Sequence, residues 1–207
     1  MQRCVKIDKM YRANPPLGRD FPSMTLEEFL QHSAGDWLSQ QTNHDVDDNR
    51  YASGRSTIAV EALTPSSSDL VAICQQHDID PASTAGGLKY VWMGRLDGDK
   101  SDRTETSISI FIPEGESAQT GKLVRTSNTG SQPPPSGQPS TATGHYSLGN
   151  DDALTMNASS DAGASKERIW FASENLRIRS SIVETADGFS AASLSSDIRK
   201  LSSKPAA

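Results

Sequence analysis

Hydrophobic alternation with a period of two runs through most of this chain from Gly35 onward, and it constrains the fold more than any other feature. Apolar and polar residues alternate in about ten short segments, and Gly, Pro, Asp or Asn separates most of them. The predicted strands span 36–46, 54–63, 88–96, 106–112, 121–126, 144–149, 152–157, 167–172, 175–184 and 189–199. Because helices do not regularly separate these strands, they are expected to form an antiparallel barrel or sandwich.

Two short helices are predicted beside the strands. A capping box formed by Thr25 and Glu28 begins the first helix, and Gly35 is well placed to end it. The second helix is predicted at 68–78, where it stops before Pro81. An antiparallel barrel of eight to ten strands has an interior wide enough for side chains or for one small ligand.

The folded domain is expected to cover residues 24–200, with two polar inserts. Residues 126–144 and 157–166 contain few apolar side chains, so they are expected to form flexible loops between strands. Residues 1–23 carry five basic residues against two acidic ones and lack the apolar run of a secretory signal. A disordered leader is expected there, with the remnant of an organelle transit peptide as the alternative, and residues 201–207 form a tail.

Charge and residue usage exclude several classes of function. A net charge of −6 with no basic stripe argues against nucleic acid as a partner. No apolar run reaches the roughly 18 residues of a membrane-spanning helix. The two cysteines, Cys4 and Cys74, form no disulfide framework, and the four histidines show no metal-ligand spacing. No metal site is therefore predicted.

The segment that begins at Glu167 with ERIWFASENLRIR carries the candidate binding site. Alternation places four polar side chains on one face of the following strand, Asn175, Arg177, Arg179 and Ser181. Two guanidinium groups two residues apart lie about 7 Å apart at the backbone and suit two carboxylates of one ligand. In an ordinary solvent-backed strand the same arginines would point outward, and the pattern alone leaves both arrangements open.

Two other side chains could complete such a site. Glu167, on the preceding strand, could hold the arginines in place or accept hydrogen bonds from N–H groups of a ligand. Trp92 shares an alternating face with Tyr90 and Gly94, and its indole could form a flat wall for a conjugated ring system. A plain core position is the simpler explanation of this tryptophan when the face is considered alone.

The segment from Glu167 to Ser181 resembles the hallmark of the S-type phycobiliprotein lyases, which attach bilins to light-harvesting apoproteins. The similarity continues through residues 188–193 and 197–199. Shorter matches precede it in the family's order, at 33–37, 39–40, 42–44, 91–94, 121–123 and 151–154. The matching landmarks extend from about Thr25 to Arg199, so the resemblance covers the predicted domain.

The resemblance implies an all-β fold, a ten-stranded antiparallel β-barrel similar to lipocalins and fatty-acid-binding proteins, with two or three short helices at the rim. It also implies a noncovalently bound phycobilin, with phycoerythrobilin expected, as a substrate rather than a prosthetic group. The protein partner is an apo-phycobiliprotein, expected to be its β subunit. A cysteine of that partner forms a thioether with the ethylidene carbon on ring A, so the lyase needs no nucleophile of its own.

The resemblance further assigns roles to the candidate residues. Arg177 and Arg179 are expected to bind the propionates of the bilin, and Glu167 to hydrogen-bond to its pyrrole nitrogens and favour a protonated, more electrophilic chromophore. Arg177 and Glu167 are the expected catalytic residues. The expected ligand-binding residues are Arg177, Arg179, Ser181, Asn175, Trp92 and Glu167.

Three departures from the family pattern leave alternatives open. Gln41 stands where the family usually has arginine, Asp45 stands where a second histidine often follows, and the insert at 126–144 replaces a short turn. A bilin carrier without transfer activity and a barrel for another amphipathic carboxylic acid are the alternative functions. The expected location is the plastid of a eukaryotic alga, or the cytoplasm if the source is cyanobacterial, and a homodimer is plausible.

Overall fold

The computed structural model describes residues 23–201, apart from residues 99, 116, 130–139, 187 and 189. The expected leader and tail therefore lie outside the described residues, except for residues 23 and 201. No helix in the described part of the chain combines the length and the apolar character needed to cross a membrane.

Ten strands form a closed antiparallel barrel in which each strand pairs with the next along the chain and β1 pairs with β10. The strands are β1 (Gly35–Asp45), β2 (Arg50–Leu63), β3 (Gly86–Leu96), β4 (Arg103–Pro113), β5 (Thr120–Thr129), β6 (Ser140–Leu148), β7 (Leu154–Ser160), β8 (Gly163–Ser173), β9 (Leu176–Thr185) and β10 (Ser190–Arg199). The helices are α1 (Leu26–Ser33), α2 (Ser68–Gln76) and a 3-10 helix (Pro81–Ser83). The predicted ten-stranded antiparallel barrel is confirmed.

Helix α1 covers one end of the barrel. Its predicted capping box is confirmed, because Glu28 N donates to Thr25 Oγ1 at 3.2 Å and Thr25 N donates to Glu28 Oε2 at 2.8 Å. The end of the helix is tied to β10, where Arg199 donates to the carbonyls of His32 and Ala34, each at 2.6 Å. The apolar face of the helix is buried against the barrel interior through Leu26, Phe29 and Leu30.

Helix α2 packs against the outer surface of β4 and β5 rather than across an end. Its apolar face joins Leu63 at the end of β2 and outward side chains of β4 and β5 in a second cluster of Leu63, Leu70, Ile73, Cys74, Ile110 and Val124. Cys74 is fully buried in this cluster, and burial raises the pKa of its thiol. A buried, protonated thiol is a poor nucleophile, so Cys74 is a packing residue.

The two segments expected to be flexible inserts are more ordered than predicted. Residues 157–166 form the end of β7, a two-residue turn and the start of β8, with Ser160 paired to Gly163. Gly163 has φ +140°, a conformation that favours glycine, and Ala158 is buried. The prediction of a loop was wrong because pairing with neighbouring strands, rather than the propensity of small polar residues, decides strand formation here.

The segment 126–144 also contains more strand than predicted. β5 continues to Thr129 and β6 begins at Ser140, with Ser127 paired to Ser140. Residues 130–139, the centre of the predicted insert, lie outside the described residues.

Candidate functional site

A cavity of about 590 Å³ lies inside the barrel, toward the end opposite α1. Ligand pockets in proteins commonly have volumes of about 300–1,000 Å³, so one medium-sized organic molecule would fit. The residues around it are Gln41, Asn43, Tyr90, Trp92, Leu96, Arg103, Thr104, Glu105, Ser107, Arg125, Ser127, Glu167 and Arg179. The described residues hold no group of three His, Cys, Asp or Glu side chains placed to bind a metal ion.

Five alternating charges, here called the charged row, cross the base of this cavity: Arg125, Glu167, Arg179, Asp197 and Arg177. Arg125 Nη2 donates to Glu167 Oε2 at 2.7 Å, and Arg179 Nη1 lies 3.7 Å from Glu167 Oε1. Arg179 Nε and Arg177 Nε both donate to Asp197 Oδ2, at 2.7 and 3.0 Å. Three guanidinium groups therefore share two carboxylates, and the excess positive charge favours an anionic ligand.

The register of the sheet explains why these charges meet inside the barrel. Arg179 pairs with Ile169, which is fully buried, and Arg177 pairs with Phe171 on one side and Asp197 on the other. Directly paired residues point to the same face of an antiparallel sheet. The outward arrangement of the two arginines that the sequence left open is thereby excluded.

The charged row keeps its carboxylates ionised. Burial disfavours the charged form of Glu167, but the positive charges of Arg125 and Arg179 outweigh it, so the pKa of Glu167 falls below its ordinary value. Burial likewise opposes ionisation of Asp197, and Arg179 and Arg177 lower the pKa of that carboxyl. At neutral pH the charged row therefore contains two ionised carboxylates beside three guanidinium groups.

Arg177 lies beneath the cavity and does not line it. Its side chain has 0% exposure, and its guanidinium carbon lies 4.5 Å from the centre of the Trp37 ring and 5.7 Å from the centre of the Tyr90 ring. Nη1 and Nη2 of Arg177 have no hydrogen bond to any described residue, although Nη2 approaches Asp197 Oδ2 to 2.9 Å. Arg179 rather than Arg177 is the member of the predicted pair that reaches the cavity.

The other predicted polar contacts occupy different positions. Ser181 lies on the inner face of β9 above Arg179, and its Oγ is 2.7 Å from Ser193 Oγ, but it does not line the cavity. Asn175 lies in the turn between β8 and β9, where its carbonyl accepts a hydrogen bond from Arg199 N at 3.0 Å. This turn is at the end that α1 covers, so Asn175 is remote from the cavity.

Trp92 lines the cavity as predicted, and three neighbours in the wall were missed from the sequence. Tyr90 stands on the same inner face of β3, Arg125 belongs to the charged row, and Glu105 pairs with Trp92 across β3 and β4. Alternation along β5 places Arg125 on the face of the buried Leu123, which is the sequence signal that would have identified it.

Two of the three departures from the family pattern, Gln41 and Asp45, lie in different environments. Gln41 lines the cavity, and its Nε2 donates to Asn43 Oδ1 at 2.6 Å. Asp45 ends β1 and stabilises the following turn, where it accepts hydrogen bonds from Asp48 N at 3.1 Å and from Arg50 Nη2 at 3.0 Å. Of these two substitutions, the one at position 41 lies in the wall of the cavity.

Comparisons with known proteins agree with this fold. The family described as "CpeS-like protein" matches residues 25–200. "Chromophore lyase CpcS/CpeS 2" of Synechococcus sp. (strain JA-3-3Ab) is 34% identical over 88% of this chain and 94% of its own length. "Chromophore lyase CpcS/CpeS" of Thermosynechococcus vestitus (strain NIES-2133 / IAM M-273 / BP-1) is 35% identical over 88% and 97%.

A solved structure has the same fold as this chain. The S-type phycobiliprotein lyase CPES from Guillardia theta superposes with a TM-score of 0.72 at 25% identity, covering 87% of this chain and 95% of its own. The family match extends from the start of α1 through the whole barrel, and the relatives are matched over nearly their full length. The chain therefore belongs to the CpeS-like family of S-type phycobiliprotein lyases.

Proposed function

We propose that this protein is a bilin lyase that holds an open-chain tetrapyrrole in the barrel cavity and promotes its thioether attachment to a cysteine of an apo-phycobiliprotein. Membership of a family whose curated relatives are named chromophore lyases supports the activity. The observation that carries the binding mode is the charged row at the base of a cavity of about 590 Å³.

Arg125 and Arg179 bind the two propionates in this proposal. Both line the cavity and both are ion-paired to Glu167, which occupies the space between them. A ligand carboxylate that enters the row can take over one of these pairs, because each guanidinium group has donors for more than one acceptor. Arg177 contributes from beneath by its charge and by holding Asp197 against Arg179.

Glu167 accepts hydrogen bonds from the pyrrole nitrogens once a propionate displaces it from an arginine. Its lowered pKa supports this role, because an anionic carboxylate stabilises a protonated, more electrophilic bilin. Trp92 forms a wall along the conjugated system, and Ser181 adds a polar group higher on the same face as the arginines. Holding one conformer with one face toward the acceptor supplies much of the selectivity.

Phycoerythrobilin is the proposed ligand, the β subunit the proposed acceptor, and a plastid the proposed location, with the cytoplasm as the alternative for a cyanobacterial source. Phycoerythrobilin and phycocyanobilin, each tested with isolated apo-α and apo-β subunits, give four pairings. The proposal requires the phycoerythrobilin and β pairing to yield the most covalent adduct. A higher yield from another pairing would reassign the ligand or the acceptor without changing the activity.

The absorption spectrum of bound phycoerythrobilin tests the role of Glu167. Glu167→Gln keeps an acceptor oxygen but removes the charge, so the bound pigment should shift toward the spectrum of the neutral chromophore at pH 7. Affinity should change little, because the arginines are retained. An unchanged spectrum and unchanged transfer would remove Glu167 from the site.

A fatty acid that displaces the bilin at equal concentration would favour a barrel for other carboxylic acids.

A bilin carrier without transfer activity is the second candidate function. It is favoured by Gln41, because this neutral side chain lines the cavity at the position where the family usually has arginine. Gln41→Arg separates the two functions. If the protein is a lyase, both the wild type and Gln41→Arg transfer bilin to the acceptor. If it is a carrier that has lost transfer activity, only Gln41→Arg transfers bilin.

A further inference from the structure

A second carboxyl group faces the cavity at a higher level than the charged row. Glu105 lies on the inner face of β4, directly paired with Trp92 of β3 and two residues from Arg103 near the open end. The residue is exposed to water, and it lines the cavity near its open end. It therefore lies beside Trp92, the side chain proposed to form a wall along the conjugated system.

The surroundings of Glu105 and Glu167 differ in their effect on the carboxyl group. Enclosure in the cavity wall raises the pKa of Glu105, and the charges of Arg103 and Arg125 offset only part of this rise. The pKa of Glu167 moves in the opposite direction. Two carboxyl groups with opposite shifts in one cavity are suited to different tasks, one as a fixed anion and the other as a group that exchanges protons. The other ionisable side chains around the cavity are Tyr90, Arg103, Arg125 and Arg179.

Thioether formation needs a proton transfer that the charged row does not provide. The S–H bond of the acceptor cysteine breaks, and the sulfur bonds to the exocyclic carbon of the ethylidene group. The electron pair of that double bond moves toward the ring, and a proton must then bond to the ring carbon at its other end. The addition is balanced without an oxidant or reductant, but the proton has to travel from sulfur to carbon.

We propose that Glu105 carries this proton. The inference rests on the proposed lyase function and adds a catalytic residue to it. The Glu105 carboxylate accepts the proton of the acceptor thiol, and the resulting carboxylic acid donates it to the ring carbon, which regenerates the carboxylate. Helix α1 covers the opposite end of the barrel, so the partner's cysteine reaches the bilin at the end where Glu105 and Trp92 lie.

Glu105→Gln tests the inference, with Glu61→Gln as the matched control on the exposed outer face of β2. Phycoerythrobilin binding, followed by absorption titration, should stay within about twofold of wild type. Single-turnover transfer to the apo-acceptor should slow on the order of a hundredfold, within the range known for general acid–base catalysis. In Glu105→Gln, the change of transfer rate with pH that reflects titration of Glu105 should disappear. Glu105→Asp should restore part of the rate.

The configuration of the new C–H bond provides an independent readout. In D2O the wild-type protein should place deuterium on one face of the ring carbon, whereas the slow reaction of Glu105→Gln should give both configurations. Wild-type rate and a single configuration in the variant would overturn the inference, as would loss of binding, which would make Glu105 a ligand contact. Absence of any adduct with the wild-type protein would instead refute the proposed lyase function.

Discussion

Arg179 is the residue on which ligand affinity should depend most. Arg179→Ala removes a guanidinium group that lines the cavity and pairs with both Glu167 and Asp197. A hydrogen bond to a charged group contributes about 1.5–3 kcal/mol, so the dissociation constant for phycoerythrobilin should rise roughly ten- to a hundredfold. Arg55→Ala, an exposed arginine on the outer face of β2, is the control. Equal affinity in the two variants would contradict the proposed propionate contact.

Asp197 should matter more for stability than for ligand contact. Asp197→Asn leaves Arg177 fully buried without a full counter-charge, and removal of one partner of a buried pair costs about 3–5 kcal/mol. The free energy of unfolding in urea should fall by this amount. Asp102→Asn, at an exposed pair with Arg95, should change it by less than about 1 kcal/mol. Similar losses in both variants would show that the charged row is not a stabilising element.

Acid should destabilise the barrel through the same two carboxyl groups. The pKa values of Glu167 and Asp197 are lowered on folding by the arginines of the charged row, whose charges outweigh burial. Their contribution to stability is complete above the ordinary pKa of an acidic side chain, about 4, and is lost as the pH falls through the lowered values. The wild-type melting temperature should decline below about pH 4, and Asp197→Asn should flatten this decline. An unchanged slope in the variant would contradict the linkage.

The sequence placed Arg177 and Arg179 on one common face, but it predicted neither that this face is the inner one nor how deeply each side chain lies. Alternation put Arg177 and Arg179 on one side of β9, and the structure has both inside the barrel. Trp37 of β1 and Tyr90 of β3 cover Arg177, and these residues lie far from it in the chain. How deeply an inward side chain lies in the barrel depends on which distant strands place large side chains around it. The alternation along a single strand does not contain that information.

At the scale of elements, residues 130–139 should be dispensable for the barrel. This stretch contains no charged residue, and the pairing of Ser127 with Ser140 joins β5 to β6 independently of it. Replacement by a short glycine-containing turn should preserve the circular dichroism spectrum and phycoerythrobilin binding. The matched control replaces Asp161 and Ala162, whose tight turn joins β7 to β8, with a ten-residue loop. Loss of the fold in the first variant would show that residues 130–139 contribute to packing.

All ten strands were predicted from the sequence, but the accuracy of their bounds varied along the chain. β3 and β9 alternate clearly, and their predicted bounds differ from the observed ones by at most two residues at each end. Residues 157–166, at the end of β7 and the start of β8, contain mainly serine and alanine, so their own propensity favours a loop. They form strands because β6 and β9 offer unpaired backbone groups on either side, and a closed barrel leaves no edge unpaired.

At the scale of the whole molecule, the fold explains how one end of the barrel can be sealed while the other holds a ligand. Helix α1 and the aromatic side chains beneath it fill the lower interior, and α2 stabilises the outer wall of β4 and β5. The charged row lies between the packed region and the cavity. The family resemblance identified the fold and the activity, whereas Arg125, Tyr90 and Glu105 were recognised as residues of the cavity wall only in the assembled barrel.

The most direct measurement is covalent attachment of phycoerythrobilin to an apo-phycobiliprotein in the presence of this protein. After denaturation, bilin bound through a thioether remains on the acceptor, whereas noncovalently carried bilin is lost. We expect a denaturation-resistant, single-configuration adduct that requires the lyase, depends on the acceptor cysteine and decreases in Arg179→Ala. Bilin that binds to the barrel but leaves no such adduct above the reaction without protein would contradict the account.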